Sequence, residues 1–378
     1  MPPLYNANTT MTELVTEYKN LIKGKVVLTT GVTPGSLGGS FVEAISKANP
    51  SCLILAGRSA AKLDQYGKQL ETVNPDLKII TVQIDLGSLT SVRKAAEYIN
   101  THESVPVIDV LVNNAGIMAM EYSVSEDDIE SQLATNHIGP FLFTNLIMEK
   151  ILMSKSPRIV MVSSDGHRLS PVRFDDYNFD VSLLGSSVLL QAACVPKDSV
   201  LITIHLQRGK TYNKWVAYGQ AKTANMLMAL SLSLKLAHRG LQAFSLHPGV
   251  IFTNLGGHLD WNTDVGLQSL DRQLGNREGW QDFKLKTLDS GAATHVYAAF
   301  DPALKGTVIS VHGVDISPTV VLANANLHHY QVHNGAYLID SHVADPLVDT
   351  VKPWATSSFE AERLWKLSET LVGQQFVY

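Results

Sequence analysis

The chain has 378 residues, 45% of them hydrophobic and 17% charged, with a formal net charge of −5. That much apolar side chain supports a sizeable core and excludes wholesale disorder. The mildly acidic balance supplies no basic face of the kind a nucleic-acid binder needs.

The predicted elements alternate along the chain. Lys25 to Thr30 is a short apolar run closed by Gly31, and helical spacing follows from Leu37 to about Ala48. Cys52 to Ala56 is the next run, with a helix from Ser59. Lys78 to Ile84 predicts a third strand and Ser88 to Asn100 a helix. Ile108 to Val112 predicts a fourth strand, and one long helix is expected from Ile129 to about Met153. Arg158 to Val162 and Leu241 to Leu246 are the fifth and sixth strands. Continuous apolar strands are buried on both faces. Their alternation with helices implies right-handed crossovers and an α/β, doubly wound parallel sheet of Rossmann type. Ligands in such sheets bind beyond the carboxyl ends of the strands, so chemistry is expected in the loops after the first, fourth, fifth and sixth.

Those loops carry the motifs. The first strand runs into Thr30-Gly31-Val32-Thr33-Pro34-Gly35-Ser36-Leu37-Gly38. Glycines there let backbone approach a pyrophosphate, whose charge meets the N-terminus of the next helix; alone, the segment also reads as a plain turn. The second strand ends Ala56-Gly57-Arg58-Ser59. An acidic residue there would bind the ribose hydroxyls of NAD. Instead Arg58, with Lys62 one helical turn on, can pair with a 2′-phosphate, which reads as NADP. The other reading of Arg58 is a solvated surface arginine. Asp85-Leu86 follows the third strand, either to cap the next helix or to contact adenine.

Asn113-Asn114-Ala115-Gly116 closes the fourth strand and Ser163-Ser164 the fifth. Tyr218 and Lys222, four apart, share one helical face. An ammonium beside a phenol favours the phenolate and lowers its pKa, so Tyr218 could pass a proton near neutral pH. The same spacing also occurs on ordinary helix faces. After the sixth strand, His247-Pro248-Gly249-Val250 is followed by Thr253.

Five motifs in this order resemble the short-chain dehydrogenase/reductase family, in its classical retinol-dehydrogenase-like and WW-domain-oxidoreductase-like branch of fungal type. The resemblance covers about 23–255 and continues more loosely to 334–344. It implies one NAD(P)-binding Rossmann domain with a core at about 23–345 and a C-terminal helix at about 357–372. It implies a tetrad. Tyr218 is the proton donor in reduction and the base in oxidation, and Lys222 binds the nicotinamide ribose and lowers the tyrosine pKa. Ser164 holds the substrate oxygen, with Ser163 as the alternative, and Asn136 positions the water of a proton relay. The implied cofactor contacts are Gly31, Gly35, Ser36, Leu37, Gly38, Arg58, Lys62, Asp85, Leu86, Asn113, Ala115, Gly116, Tyr218, Lys222 and Val250, with Thr253 on the carboxamide. The family turn is commonly Thr-Gly-x-x-x-Gly-x-Gly; here one further residue separates Gly35 from Gly38. The Tyr218 helix and the helix before the fifth strand are common pairing faces in the family, so a homodimer is an expectation.

Two segments interrupt the pattern. Val181 to Gln207 lengthens the span between Ser164 and Tyr218 to about twice that of the branch, and its flanks would join smoothly without it. A second such segment runs from about Gly306 to Val332. Both read either as translated introns kept in the reading frame or as genuine insertions. In the second case the first is a substrate-covering lid, since loops this long are uncommon and often functional.

The expected activity is therefore NADP(H)-dependent interconversion of a carbonyl and an alcohol on a lipophilic small molecule. A non-catalytic NADP-binding sensor or scaffold, or an epimerase or dehydratase, would use the same fold. Residues 256–286 should cover the substrate, and within them Trp261, Trp280 and Phe283 suit an apolar ligand or simple packing. Two cysteines, Cys52 and Cys194, exclude a disulfide scaffold and fit a reducing compartment. No apolar run approaches the roughly 20 residues of a membrane span. Met1 to Lys25 lacks the apolar stretch of a secretory leader. The expected location is the cytoplasm, with no metal, since the 13 histidines show no clustered ligand spacing.

Overall fold

Apolar, β-branched runs build the centre of the molecule. The computed structural model describes residues 4–180, 208–259, 266–305, 309–311, 314–316 and 333–378. Its strands begin with β1 (Val26–Thr30), β2 (Cys52–Gly57), β3 (Lys78–Gln83), β4 (Val110–Asn113), β5 (Arg158–Val162) and β6 (Gln242–His247). Every residue of β1, β4, β5 and β6 is buried, as strands covered on both faces require. β7 (Ile309–Val311) and β8 (Val314–Ile316) form a separate antiparallel pair. β9 (Tyr337–Ile339) and β10 (His342–Val343) complete the main sheet, whose order is β10-β9-β6-β5-β4-β1-β2-β3. All its neighbours are parallel except β10 against β9. Strand order reverses between β1 and β4, and a crevice opens there at the carboxyl ends.

Side-chain caps fix where the helices start. Ser36 accepts from Gly39 N ahead of Leu37–Ser46, Ser59 from Lys62 N ahead of Ala60–Val73, and Ser88 from Ser91 N ahead of Leu89–Thr101. Asn213 caps the long helix Lys214–Leu236 that carries Tyr218. The single helix expected over 129–153 is instead four pieces. These are Ser131–Leu133, a π-turn at Ala134–Ile138, then Gly139–Leu146 and Met148–Leu152. Pro140 has no N–H for the Asn136 carbonyl, so the α-helical ladder widens there, and Gly139 N bonds Ala134 O. Gly139 is the contact point with the loop after β3: a Cβ on it would lie 2.1 Å from Leu86 O.

The C-terminal helix Ser358–Val372 lies across the tyrosine helix and Gly139–Leu146. Trp365 meets Phe141 edge-on at 4.9 Å, Phe376 meets it at 5.7 Å, and Tyr378 donates to Asn145 Oδ1 at 2.6 Å. Ser231 Oγ donates to Ala361 O at 3.0 Å. The chain's own C-terminus thus covers these parts of the two helices on which pairing was expected. Among the described residues no helix is long and apolar enough to cross a membrane.

Most of the two interrupting segments, with Cys194 and the intron-or-insertion question, lies outside the described residues. The flanks of the first are described, and they meet. Gly209 N donates to Phe179 O at 3.0 Å, and Arg208 Nε lies 3.3 Å from Asp180 Oδ1. Phe179 is buried and packs on Tyr212 at 5.0 Å. Chain entry and exit therefore share one closed point. Joining Asp180 directly to Arg208 should preserve the fold, with a melting shift of about 4 °C or less, on the order of 1 kcal/mol. Loss of the cooperative thermal transition on deleting 181–207 would show that the segment belongs to the folding unit.

Candidate active site

The crevice has a volume of roughly 1070 Å³ and runs across the carboxyl ends of β1 to β6. Its floor is the turn after β1. Gly31 sits at φ +74°, and a Cβ there would lie 2.6 Å from Ala115 Cα, so only glycine fits. Asn114 holds this turn: its Nδ2 donates to Thr30 O at 2.9 Å and to Gly31 O at 3.2 Å. Thr30 Oγ1 in turn accepts from Asn114 N and Ala115 N, both at 3.1 Å. Val32, Thr33, Ser36 and Leu37 complete this wall.

Three expected cofactor contacts lie off the wall. Gly38 is a packing glycine, since a Cβ on it would lie 2.4 Å from Asn114 Nδ2. Gly35 turns the chain at φ +74° with open space around it. Asn113 points into the core, where its Nδ2 donates to Thr144 Oγ1 at 2.9 Å and contacts Met161 Sδ at 3.2 Å. Asn114, the second of that pair, lines the crevice instead.

At one end the crevice is bounded by Arg58 and Lys62, both exposed, and by Asp85 and Leu86. Neither cation has an ion pair among the described residues. Asp85 does not cap the next helix, because Ser88 does; its Oδ1 accepts from Gly87 N at 2.9 Å.

Ser164, Tyr218 and Lys222 line the same crevice, with Ala115, Gly116, Val250 and Thr253. Ser164 opens the short 3-10 helix Asp165–Leu169; its Oγ accepts from Gly166 N at 3.0 Å, and its hydroxyl acts to lower the pKa of the Tyr218 phenol. Ser163 turns the other way, donating from Oγ to Lys222 O at 2.7 Å. The geometry thus separates the two serines. The Tyr218 ring abuts Gly166, where a Cβ would lie 2.8 Å from Tyr218 Cε1.

The expected lowering of the tyrosine pKa is not what this geometry produces. Burial pushes the Tyr218 phenol up to about 12, opposed by the Ser164 hydrogen bond and the Arg168 charge. The Lys222 ammonium sits 5.6 Å from the ring centroid and donates to Val162 O at 3.0 Å. Burial pushes Lys222 itself down to about 8.

Asn136 is close behind the wall rather than on it. Its Oδ1 accepts from Ile117 N at 2.8 Å and its Nδ2 donates to Ile117 O at 2.9 Å, so both ends of the amide pin the loop after β4. A Cβ on Gly116 would lie 3.0 Å from Asn136 Oδ1 and 3.5 Å from Lys222 Nζ, so both side chains meet at that glycine.

The far wall is apolar, formed by Leu169, Trp215, Leu259, Leu267, Phe283 and Leu285. Of the three aromatic residues expected there, Phe283 lines it, Trp280 is 61% exposed, and Trp261 is outside the described residues. Sequence reasoning missed Asn114, Trp215 and Arg168. Arg168 pairs with Asp165 three residues earlier, a spacing readable in the sequence.

Comparisons with known proteins bear on the family and the fold. Residues 25–178 match the sequence model of the short chain dehydrogenase family. The chain is 35% identical over 251 residues to the oxidoreductase fscI of Fusarium equiseti, covering 65% of this chain and 95% of that protein. It is 33% identical over 290 residues to the short-chain dehydrogenase/reductase prx1 of Penicillium rubens, covering 75% of this chain and 72% of that one. Mouse retinol dehydrogenase 14 is 28% identical over 363 residues, with 93% of this chain and 87% of that protein covered. Among solved structures, an uncharacterised protein from Mycobacterium paratuberculosis superposes with a TM-score of 0.58 at 23% identity, over 94% of this chain and 96% of that one. An NADPH-bound carbonyl reductase from chicken fatty liver gives 0.50 at 17% identity, over 85% and 99%; these two likenesses concern the fold.

Proposed function

The chain belongs to the short-chain dehydrogenase/reductase family, and from that premise we propose that it is an NADP(H)-dependent oxidoreductase interconverting a carbonyl and an alcohol on a lipophilic small molecule. One observation carries the reading. The Ser164, Tyr218 and Lys222 side chains line a crevice that also carries Arg58 and Lys62, cations without an ion pair among the described residues. The crevice residues suit the dinucleotide: the turn after β1, closed against Ala115 at Gly31, offers its backbone to a pyrophosphate, and Arg58 and Lys62 match a 2′-phosphate. When bound, the nicotinamide supplies hydride to a carbonyl carbon or takes it from an alcohol carbon.

The chain's own residues do the rest. Ser164 Oγ holds the substrate oxygen beside the Tyr218 hydroxyl. The Tyr218 phenol keeps its proton at neutral pH, with its pKa pushed up to about 12, and this proton is the one handed to a carbonyl oxygen. With the dinucleotide bound, Lys222 would hold the nicotinamide ribose and Thr253 the carboxamide; both line the crevice. Because both ends of the Asn136 amide are held by Ile117, its part in a proton relay falls to its backbone carbonyl, deprived of an α-helical donor by Pro140. The apolar far wall supports a lipophilic substrate.

The reading has a pH signature. Burial depresses the Lys222 pKa to about 8, so its charge is present below that value and lost as pH rises through it. NADPH affinity should therefore hold through neutral pH and weaken by up to about tenfold over the next pH unit or two above 8. Fluorescence titration of NADPH against pH measures this directly. Lys222→Met should bind weakly at neutral pH and lose the inflection; an unchanged inflection in that variant would assign it to another group.

A further inference from the structure

We propose that the buried Arg168–Asp271 ion pair is a positioning latch that seats the Gly266–Gln273 helix over Tyr218 and so sets the substrate wall. Its kinetic consequence rests on the oxidoreductase reading; its structural consequence does not.

The latch begins at the serine turn. Arg168 lies on the 3-10 helix that Ser164 opens, and its neighbour Gly166 backs the Tyr218 ring. Its guanidinium grips Asp271 bidentately, with Nε donating to Oδ1 at 2.9 Å and Nη2 to Oδ2 at 2.7 Å. Nη1 donates to Asp165 Oδ2 at 2.8 Å, and Glu278 Oε2 lies 3.8 Å from Nε. Arg168 is 4% exposed and Asp271 is 0% exposed. Asn276 Nδ2 donates to Asp271 Oδ1 at 2.9 Å, and Lys352 Nζ donates to Asn276 Oδ1 at 2.7 Å. Three segments thus meet at one guanidinium, namely the serine turn, the wall helix and the Arg277–Trp280 turn that carries Glu278, and Lys352 from the loop before the C-terminal helix braces Asp271 through Asn276.

The same helix faces the chemistry with its apolar side. Leu267 and Leu270 pack against the cluster of Leu169, Trp215 and Tyr218, and Leu267 and Gln268 line the crevice. Asp271 does not line it, so its effect on substrate must pass through the helix. A buried ion pair adds little net stability over an apolar pair of the same volume. What the forked bidentate contact supplies is a fixed orientation.

The test compares Asp271→Asn with Asp271→Glu, both of which leave Arg168 and its contact with Asp165 in place. Trypsin cleavage after Arg272, Arg277 and Lys284 is followed together with NADPH-dependent reduction of benzaldehyde and decanal. For Asp271→Asn we expect cleavage and the KM for decanal both to rise about tenfold. The kcat for benzaldehyde should stay within about threefold and NADPH affinity within about twofold. Asp271→Glu, which can still chelate the guanidinium, should recover most of the decanal KM. Unchanged cleavage, or an equal fall in kcat for both aldehydes with KM unmoved, overturns the latch. If the unaltered protein reduces no carbonyl, the oxidoreductase reading fails, and the cleavage rates still decide the latch.

Discussion

Tyr218→Phe should lower NADPH-dependent carbonyl reduction by about 10³-fold, within the range for removing a general acid, while NADPH binds with unchanged affinity. The substitution deletes one oxygen and little else. The ring stays wedged between Gly166 and Trp215, whose ring centroid lies 6.3 Å away. Ser164 Oγ keeps its bond from Gly166 N. Losing one hydroxyl costs at most about 1 kcal/mol of stability, too little to unfold the chain. The rate should therefore fall through loss of the proton donor, not loss of the site. Steady-state kinetics alongside an NADPH titration separates the two. A rate within tenfold of the unaltered enzyme would remove Tyr218 from the proton path.

The second large effect concerns cofactor choice. Arg58→Asp combined with Lys62→Ala should reduce the preference for NADPH over NADH by about 10²- to 10⁴-fold, as two charge-assisted contacts of roughly 1.5–3 kcal/mol each are lost. The new carboxylate would also repel a 2′-phosphate and accept from ribose hydroxyls. Both positions are exposed, and the Arg58 backbone keeps its tie to Gln83 through the Arg58 carbonyl, at 3.1 Å. The fold should be indifferent to the change. The ratio of kcat/KM for the two cofactors is the measurement. An unaltered enzyme that already prefers NADH, or a double variant with the same ratio, would show that these cations do not select the phosphate.

Much of this site is legible in the sequence because its strands are buried on both faces and read as unbroken apolar runs. That fixes the six parallel strands and the loops at their carboxyl ends. The glycine turn is legible as a motif, but the separate duties of its glycines are not. Gly31 meets Ala115 and Gly38 meets Asn114 only after β1 and β4 are neighbours. The two asparagines after β4 divide between core and crevice for the same reason: adjacent residues on a strand face opposite ways. The broken helix had a local signal, Pro140, which the apolar periodicity from Ile129 to Met153 outweighed. Sequence spacing places Lys222 beside Tyr218 and predicts a lowered tyrosine pKa, but burial, which spacing does not encode, raises it instead. Asp271 lies 103 positions from Arg168, so their pairing is visible only in the folded chain.

The central claim is hydride transfer coupled to a proton from Tyr218, and NADPH deuterated at nicotinamide C4 tests it most directly. Incubated with neutral aldehydes and ketones, the protein should consume one cofactor for each alcohol formed, with deuterium on the new carbinol carbon. Bound NADPH with no consumption across the panel would instead identify a sensor or scaffold. Substrate turnover without net loss of NADPH would identify an epimerase or dehydratase. Either result would contradict the assignment as a carbonyl–alcohol oxidoreductase.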